Sequence, residues 1–156
     1  MKAENIQFYL DKLILLGLPQ KQVQFYTLLK EKGISFNYRT VNEQLEKYCS
    51  INQPRIKECY RNSLLLAVAC EDIDYAEGYM YTSAIGFPIE HTWNCRVSGN
   101  DWEVIDTTAH EAGFKFDTEE YFGVIIPKAV LQDFLETNQH LTALQYYLSN
   151  SEKYGL

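Results

Sequence analysis

The chain has 156 residues, 46% of them apolar and with twelve Tyr and eight Phe, enough to fill the core of one domain spanning 1–156. Its 14 Lys plus Arg stand against 21 Asp plus Glu, and the resulting net charge of -7 repels phosphate backbones, which argues against nucleic acid as a partner. The start lacks a basic stretch leading into an apolar one, and no run approaches the ~20 apolar residues of a membrane span, so a cytoplasmic protein outside the membrane is expected.

Residues 4–16 carry Ile6, Tyr9, Leu10, Leu13, Ile14 and Leu16 near a 3.6-residue period, and Gly17-Leu18-Pro19 interrupts them, which predicts an amphipathic helix. A second helix is expected over 21–32 with Gly33 as its C-terminal cap, followed by a short strand over 34–38. Thr40 and Glu43 fit a capping box that opens a third helix to about Cys49. These first fifty residues form a helical N-terminal part with a packing role. Over 59–72 the run from Ser63 to Cys70 is apolar all round and rich in helix formers, predicting a buried central helix. Strands are expected over 75–81, 89–97, 102–107 and 121–126, with turn residues between them and a loop over 107–116. Helices over 128–136 and 141–148 close the chain. Helices, then strands, then helices, without βαβ alternation, predict an α+β fold with an antiparallel sheet.

The four cysteines, Cys49, Cys59, Cys70 and Cys95, include no Cys-x-x-Cys pair, and the three histidines lie far apart, so free thiols and no metal site are expected. In the strand over 89–97, period 2 puts Ile89, His91, Trp93 and Cys95 on one face; in the next strand Trp102, Val104 and Asp106 share a face. The linker Ser98-Gly99-Asn100-Asp101 makes a hairpin of the two. A loop of even length sets His91 and Asp106 on one side of the sheet, directly opposite in one register and diagonal in another; a three-residue loop without a bulge separates them. An Asp beside Trp102, Val104 and Ile105 needs a donor or a cation, because a lone buried carboxylate is costly, and His91 is the candidate. Taken singly, His91 reads as a core histidine and Asp106 as a strand-end turn former.

Cys59 follows Asn52-Gln53-Pro54, a helix-start signal. If the helix begins near Cys59, its thiol sits in positive potential that favours thiolate, and an imidazolium partner lowers its pKa further; if it begins at Pro54, the dipole adds little. Taken singly, Cys59 reads as a small buried hydrophobe, as does Cys70 about three turns further on.

The segments Glu58-Cys59-Tyr60-Arg61-Asn62-Ser63, Glu77-Gly78-Tyr79, Glu90-His91-Thr92-Trp93-Asn94, Val104-Ile105-Asp106-Thr107-Thr108 and Tyr121-Phe122-Gly123-Val124 together resemble the Cys, His, Asp core of transglutaminase-like cysteine enzymes in the papain-like superfamily, which includes small bacterial proteases and toxin-type glutamine deamidases. The resemblance covers 53–126. It implies a nucleophile helix packed on an antiparallel sheet, flanked by N-terminal helices and by C-terminal helices over 128–150. It also implies a catalytic triad in which Cys59 attacks a carboxamide carbonyl, His91 shares its proton and later protonates the leaving amine, and Asp106 orients the imidazole, through a thioester intermediate. Gln53, six residues before Cys59, holds the place of the oxyanion-hole glutamine, or else is a surface residue where the helix begins. Trp93 shields the His91 and Asp106 pair or is core; Asn62 reads as a buried structural hydrogen-bonder rather than a catalyst; His110 is a substrate contact or a surface histidine. No cofactor is implied.

Water attacking the thioester makes a cysteine protease or glutamine deamidase, and a lysine amine makes a transglutaminase; the residues do not choose among them, although hydrolysis needs no second-substrate site. The substrate is expected to be a protein or peptide. The competing reading from a different class is a non-catalytic protein-binding module on the same fold.

Overall fold

The computed structural model describes residues 4–36, 42–113, 119–137 and 140–156. Helix α1 (Glu4–Leu15) buries Ile6 and Leu10, the residues that carried its period. Helix α2 (Gln20–Lys32) starts behind Pro19, whose fixed φ suits the position before a first turn. Gly33 ends α2 without the left-handed backbone of a glycine cap: its φ of -69° is extended. The glycine is there for space, since a Cβ would lie 2.6 Å from the Leu29 carbonyl oxygen and from the Phe122 ring.

Strand β1 (Ile34–Phe36) follows, and Thr40 of the expected capping box lies outside the described residues. Helix α3 (Asn42–Asn52) runs on past Cys49. Helix α4 (Cys59–Ala69) stops short of the expected Asp72, and its apolar run is not buried all round: Leu66 and Ala67 are in the core, whereas Leu65 and Val68 are 42% and 71% exposed. Cys70 therefore sits just past the helix end, half-buried. Strands β2 (Asp74–Thr82), β3 (Ile89–Ser98) and β4 (Asp101–Ile105) follow, then α5 (Thr107–Glu111), β5 (Glu119–Ile126), α6 (Lys128–Leu135) and α7 (Ala143–Ser149). Two expectations are corrected here. The fourth strand ends at Ile105 rather than at residue 107, and the expected loop over 107–116 begins as a helix, because Asp106 accepts from the Ala109 N–H and caps it. A reciprocal cap between Thr142 and Gln145 sets the start of α7.

The five strands form one antiparallel sheet in the order β1-β5-β2-β3-β4, curled so that the outer strands β1 and β4 touch. Period 2 gives the sheet two different faces. Tyr75, Tyr79, Phe122, Val124 and Ile126 pack against Ile6, Leu10, Leu29, Val130, Leu144 and Leu148 of the helices. The other face holds Phe36, Ala76, Met80, Trp93, Cys95, Val104 and Tyr121. Across the middle runs a row of register partners, His91, Gly78, Gly123 and Ile34. A Cβ on Gly123 would come within 2.8 Å of the Trp93 ring, so the glycine lets that ring lie flat against the sheet beside His91. Leu45, Tyr48, Leu66, Ile73 and Ile105 join α3 and α4 to the end of β4. Among the described residues no helix is long and apolar enough to cross a membrane. The observed architecture is α+β, with helices before and after a curled antiparallel sheet.

Candidate active site

Three facts of local chemistry bring Cys59, His91 and Asp106 together. The first is the hairpin: Ser98 pairs with Asp101, leaving the two-residue turn Gly99-Asn100, with Gly99 at φ 63° in the first turn position, which glycine favours. This even-length loop puts His91 and Asp106 on one side of the sheet in the diagonal register. The second is that β4 stops at Ile105, opposite Asn94, so the edge of β3 at His91 and Thr92 has no strand beside it. The third is that α4 begins at Cys59 rather than at Pro54 and delivers its first residue to that open edge.

The start of α4 is set by Asn62, which is fully buried. Its Oδ1 accepts from the Arg55 N–H at 3.0 Å and from the Arg61 guanidinium at 3.1 Å, while its Nδ2 donates to the Arg55 carbonyl at 2.8 Å and to the Thr108 hydroxyl at 2.9 Å. Asn52 adds bonds to the Asn62 carbonyl at 2.9 Å and to the Thr107 hydroxyl at 2.8 Å. Asn62 is thus the structural hydrogen-bonder anticipated from the sequence, folding residues 53–58 back over the helix start and fastening α5 beside it.

His91 Nε2 lies 2.7 Å from Asp106 Oδ2, with both residues buried at 6% and 1% exposure. Tyr121 donates its hydroxyl to the same Oδ2 at 2.8 Å, and Asp106 Oδ1 accepts from the Ala109 N–H at 3.0 Å. Asp106 is therefore both of the things its sequence suggested, a partner for His91 and a former of the turn at a strand end. With Nε2 committed, Nδ1 is the nitrogen left for the Cys59 thiol, which His91 and Thr92 both hold below its ordinary pKa.

The electrostatics agree in direction. Burial alone would raise the Cys59 thiol; the hydrogen bond and charge of His91, and then Thr92, outweigh it and hold the thiol below its ordinary value. The helix start supplies positive potential of the same sign. Burial disfavours the charged form of His91, but the charge and hydrogen bond of Asp106, and then Cys59, raise the imidazole to about 10. Burial would likewise raise Asp106, and the charge and hydrogen bond of His91, the Ala109 N–H and the Tyr121 hydroxyl bring it below the ordinary carboxylate value. All three shifts run toward thiolate beside imidazolium, backed by carboxylate.

The other residues singled out from the sequence are placed as follows. Trp93 is fully buried, with its ring at 20° to the His91 imidazole and edge-on to Phe36 and Tyr121, so it is core and at the same time the apolar wall beside His91. Gln53 is exposed, just past the end of α3, with a left-handed backbone at φ 45°; its carbonyl accepts from Arg61, and its side-chain amide has no partner among the described residues. His110 is half-buried in the last turn of α5, with its N–H on the Asp106 carbonyl and no contact to the thiol. Among the described residues no group of three or more His, Cys, Asp or Glu is arranged to hold a metal ion.

Sequence reasoning missed two members of this network. Tyr121 lay within a quoted segment without a role; its parity with Gly123 puts it on the His91 side, but only the β2–β5 register reveals that. Thr92 has the opposite parity to His91 and reaches the thiol partly through its backbone, which side-chain patterning does not register.

Next to Thr92 in the β2–β3 register is Glu77, 4% exposed, whose Oε2 accepts from the Tyr75 hydroxyl at 3.0 Å and from the Leu144 N–H at 3.1 Å, tying α7 to the sheet. Burial pushes this carboxyl up to about 7, Glu90 adds to the rise, and the bonds from Thr142, Leu144 and Tyr75 pull against it. Folding therefore favours the protonated form: the contribution is complete below the unfolded value of 4.5 and is lost as pH rises through about 7. Roughly 3 kcal/mol is involved, at about 1.4 kcal/mol per pKa unit. Urea denaturation of wild type and Glu77→Gln should show the variant gaining on the wild type from pH 5 to pH 8. A gap that stays constant over that range contradicts the assignment.

No family model, no curated protein and no solved structure matches this chain.

Proposed function

We propose that the chain is a thiol-dependent amide hydrolase or acyltransferase on a papain-like or transglutaminase-like core, acting on a protein or peptide through a thioester at Cys59. The observation that carries the reading is the order of three groups of unlike chemistry: a thiol on the first residue of a helix, an imidazole whose charge lowers that thiol, and a carboxylate 2.7 Å from the imidazole Nε2. A core histidine needs no thiol, and a turn-forming Asp needs no histidine.

In this mechanism Cys59 Sγ adds to the amide carbon, and the developing oxyanion faces the N–H groups of the first turn of α4, which have no carbonyl a turn earlier to accept them. Gln53 is the side-chain donor of the same reading, and its exposed amide has no fixed partner among the described residues. The tetrahedral species collapses as the C–N bond breaks, and the His91 imidazolium gives its proton to the departing amine. The acyl group stays on sulfur. Water, deprotonated by His91, then attacks the thioester and releases acid and thiol; an amine in place of water gives transfer. Asp106 holds one ring orientation throughout, and Tyr121 holds Asp106.

The test is alkylation of each cysteine by iodoacetamide across pH 5 to 9, followed by peptide mass spectrometry, in wild type and His91→Ala. Cys59 should react fastest of the four, with a rate that persists below pH 7 in wild type and falls steeply there in the variant. Slow reaction of Cys59 with the same pH profile in both proteins would reject catalysis and favour the protein-binding module.

A further inference from the structure

Helices α4 and α6 lie side by side and run antiparallel. Lys128, at the start of α6, donates to the Ala67 and Cys70 carbonyls at the end of α4, at 2.9 and 2.8 Å. Further along α6, Leu131 and Phe134 line a cavity of about 290 Å³ together with Tyr60 and Leu64 from the first turns of α4. We infer that the groove between the two helices is a docking surface for an amphipathic helix of another protein, one whose apolar stripe is flanked by Lys or Arg. The inference stands apart from the proposed function. Tyr75, on the sheet face turned away from His91, lines the cavity, and neither Cys59 nor His91 does.

Sequence and exposure together mark the surface as one to be covered. A helix at the surface ordinarily turns polar side chains to water. After Arg61, α4 reads Asn62-Ser63-Leu64-Leu65-Leu66-Ala67-Val68-Ala69, and its two polar residues are buried while Leu65, Val68 and Ala69 are exposed. On the opposite bank Leu135 is 51% exposed and Leu141 38%. Tyr60, Leu64 and Val68 stand four residues apart and so form one row along the groove. A partner helix laid along that row meets it with apolar residues at i, i+3, i+4 and i+7. The cavity is its anchor point: about 150 Å³ already accepts a benzene ring, so this one takes one large apolar side chain.

Charge chooses the occupant. The cations beside the groove are already engaged: Arg61 with Asn62, the Gln53 carbonyl and Glu58, and Lys128 with the last carbonyls of α4. The carboxylates are not. Glu71 is exposed just beyond the end of α4 and Glu136 at the end of α6, and neither pairs with a cation among the described residues. Because the helices are antiparallel, these two carboxylates mark opposite ends of the groove. A partner helix with basic residues on either side of its apolar stripe complements both. A second copy of this chain would instead bring the same carboxylates and a further net charge of -7 to the interface, where like charges repel.

The probe is a fluorescein-labelled helical peptide of about fourteen residues with leucine at i, i+3, i+4 and i+7 and lysine elsewhere, titrated with the whole protein and read by fluorescence anisotropy. It should bind about tenfold or more tighter than the same peptide with glutamate for lysine, or with serine for leucine. Val68→Ser and Leu135→Ser, at exposed positions where the fold has little to lose, should each weaken binding about fivefold or more. Glu71→Gln combined with Glu136→Gln should weaken it about threefold. A leucine-lysine peptide that does not bind, that binds no tighter than the two controls, or that binds both serine variants as tightly as wild type overturns the inference. So does a wild-type dimer in light scattering that Val68→Ser splits, which gives the face to a second copy. None of these outcomes touches the alkylation of Cys59, so the proposed function stands or falls separately.

Discussion

Asp106→Ala should cost about 3–5 kcal/mol of stability, among the largest losses open to a single side chain in this protein, because it leaves a buried imidazole without its counter-charge. Three bonds go at once: from His91 at 2.7 Å, from the Tyr121 hydroxyl at 2.8 Å and from the Ala109 N–H at 3.0 Å. His91 Nε2 then loses its buried acceptor, and α5 loses its cap, itself worth about 1 kcal/mol. Asp106→Asn separates the contributions. Asparagine has one acceptor oxygen, which can keep the cap on the Ala109 N–H, but it then turns an amide nitrogen toward His91 and Tyr121 and carries no charge to raise His91. It should therefore keep the contribution of the cap while the thiol loses its low-pH reactivity. Urea denaturation and the alkylation profile of Cys59, measured on both variants, decide it. An alanine variant within about 1 kcal/mol of wild type would mean that Asp106 is a turn former and little more.

Cys59→Ala should abolish turnover of an activated acyl substrate such as p-nitrophenyl acetate and remove the acyl adduct from the protein, with stability changed by no more than about 1 kcal/mol. The asymmetry follows from where the thiol sits. It is half-buried at the first position of α4, so its deletion opens little cavity, and Asn62 rather than Cys59 holds the helix start. Rate and fold should then part company in a way that they do not at Asp106. Acyl transfer that survives in the variant, or moves to Cys49 or Cys70, would end the case for Cys59.

The legible part of the molecule was whatever parity and turn chemistry determine. Period 2 in β3 and β4, with Gly99-Asn100 between them, was enough to put His91 and Asp106 on one side of the sheet; which of two registers held was not, because the choice depends on one turn residue adopting positive φ. Helix α5 escaped notice because five residues are too few to show a period, and its cause is a cap whose side chain had already been given a different role. In α4 the apolar run hid which face would be exposed, since Leu65 and Val68 carry no polar mark to betray it. The role of Tyr121 depends on β2 and β5 being neighbours in space, a fact of topology that no local window contains.

Glu58 gives α4 no side-chain cap, and the segment before the helix is held in place by Asn62 and Asn52, residues whose partners come from 46 and 55 positions further along the chain. In the unfolded chain Cys59 therefore has neither helix start nor imidazole beside it and is an ordinary thiol. If the proposed function holds, folding itself arms it, and the reactivity of this one sulfur would report that the helix start and the sheet have met.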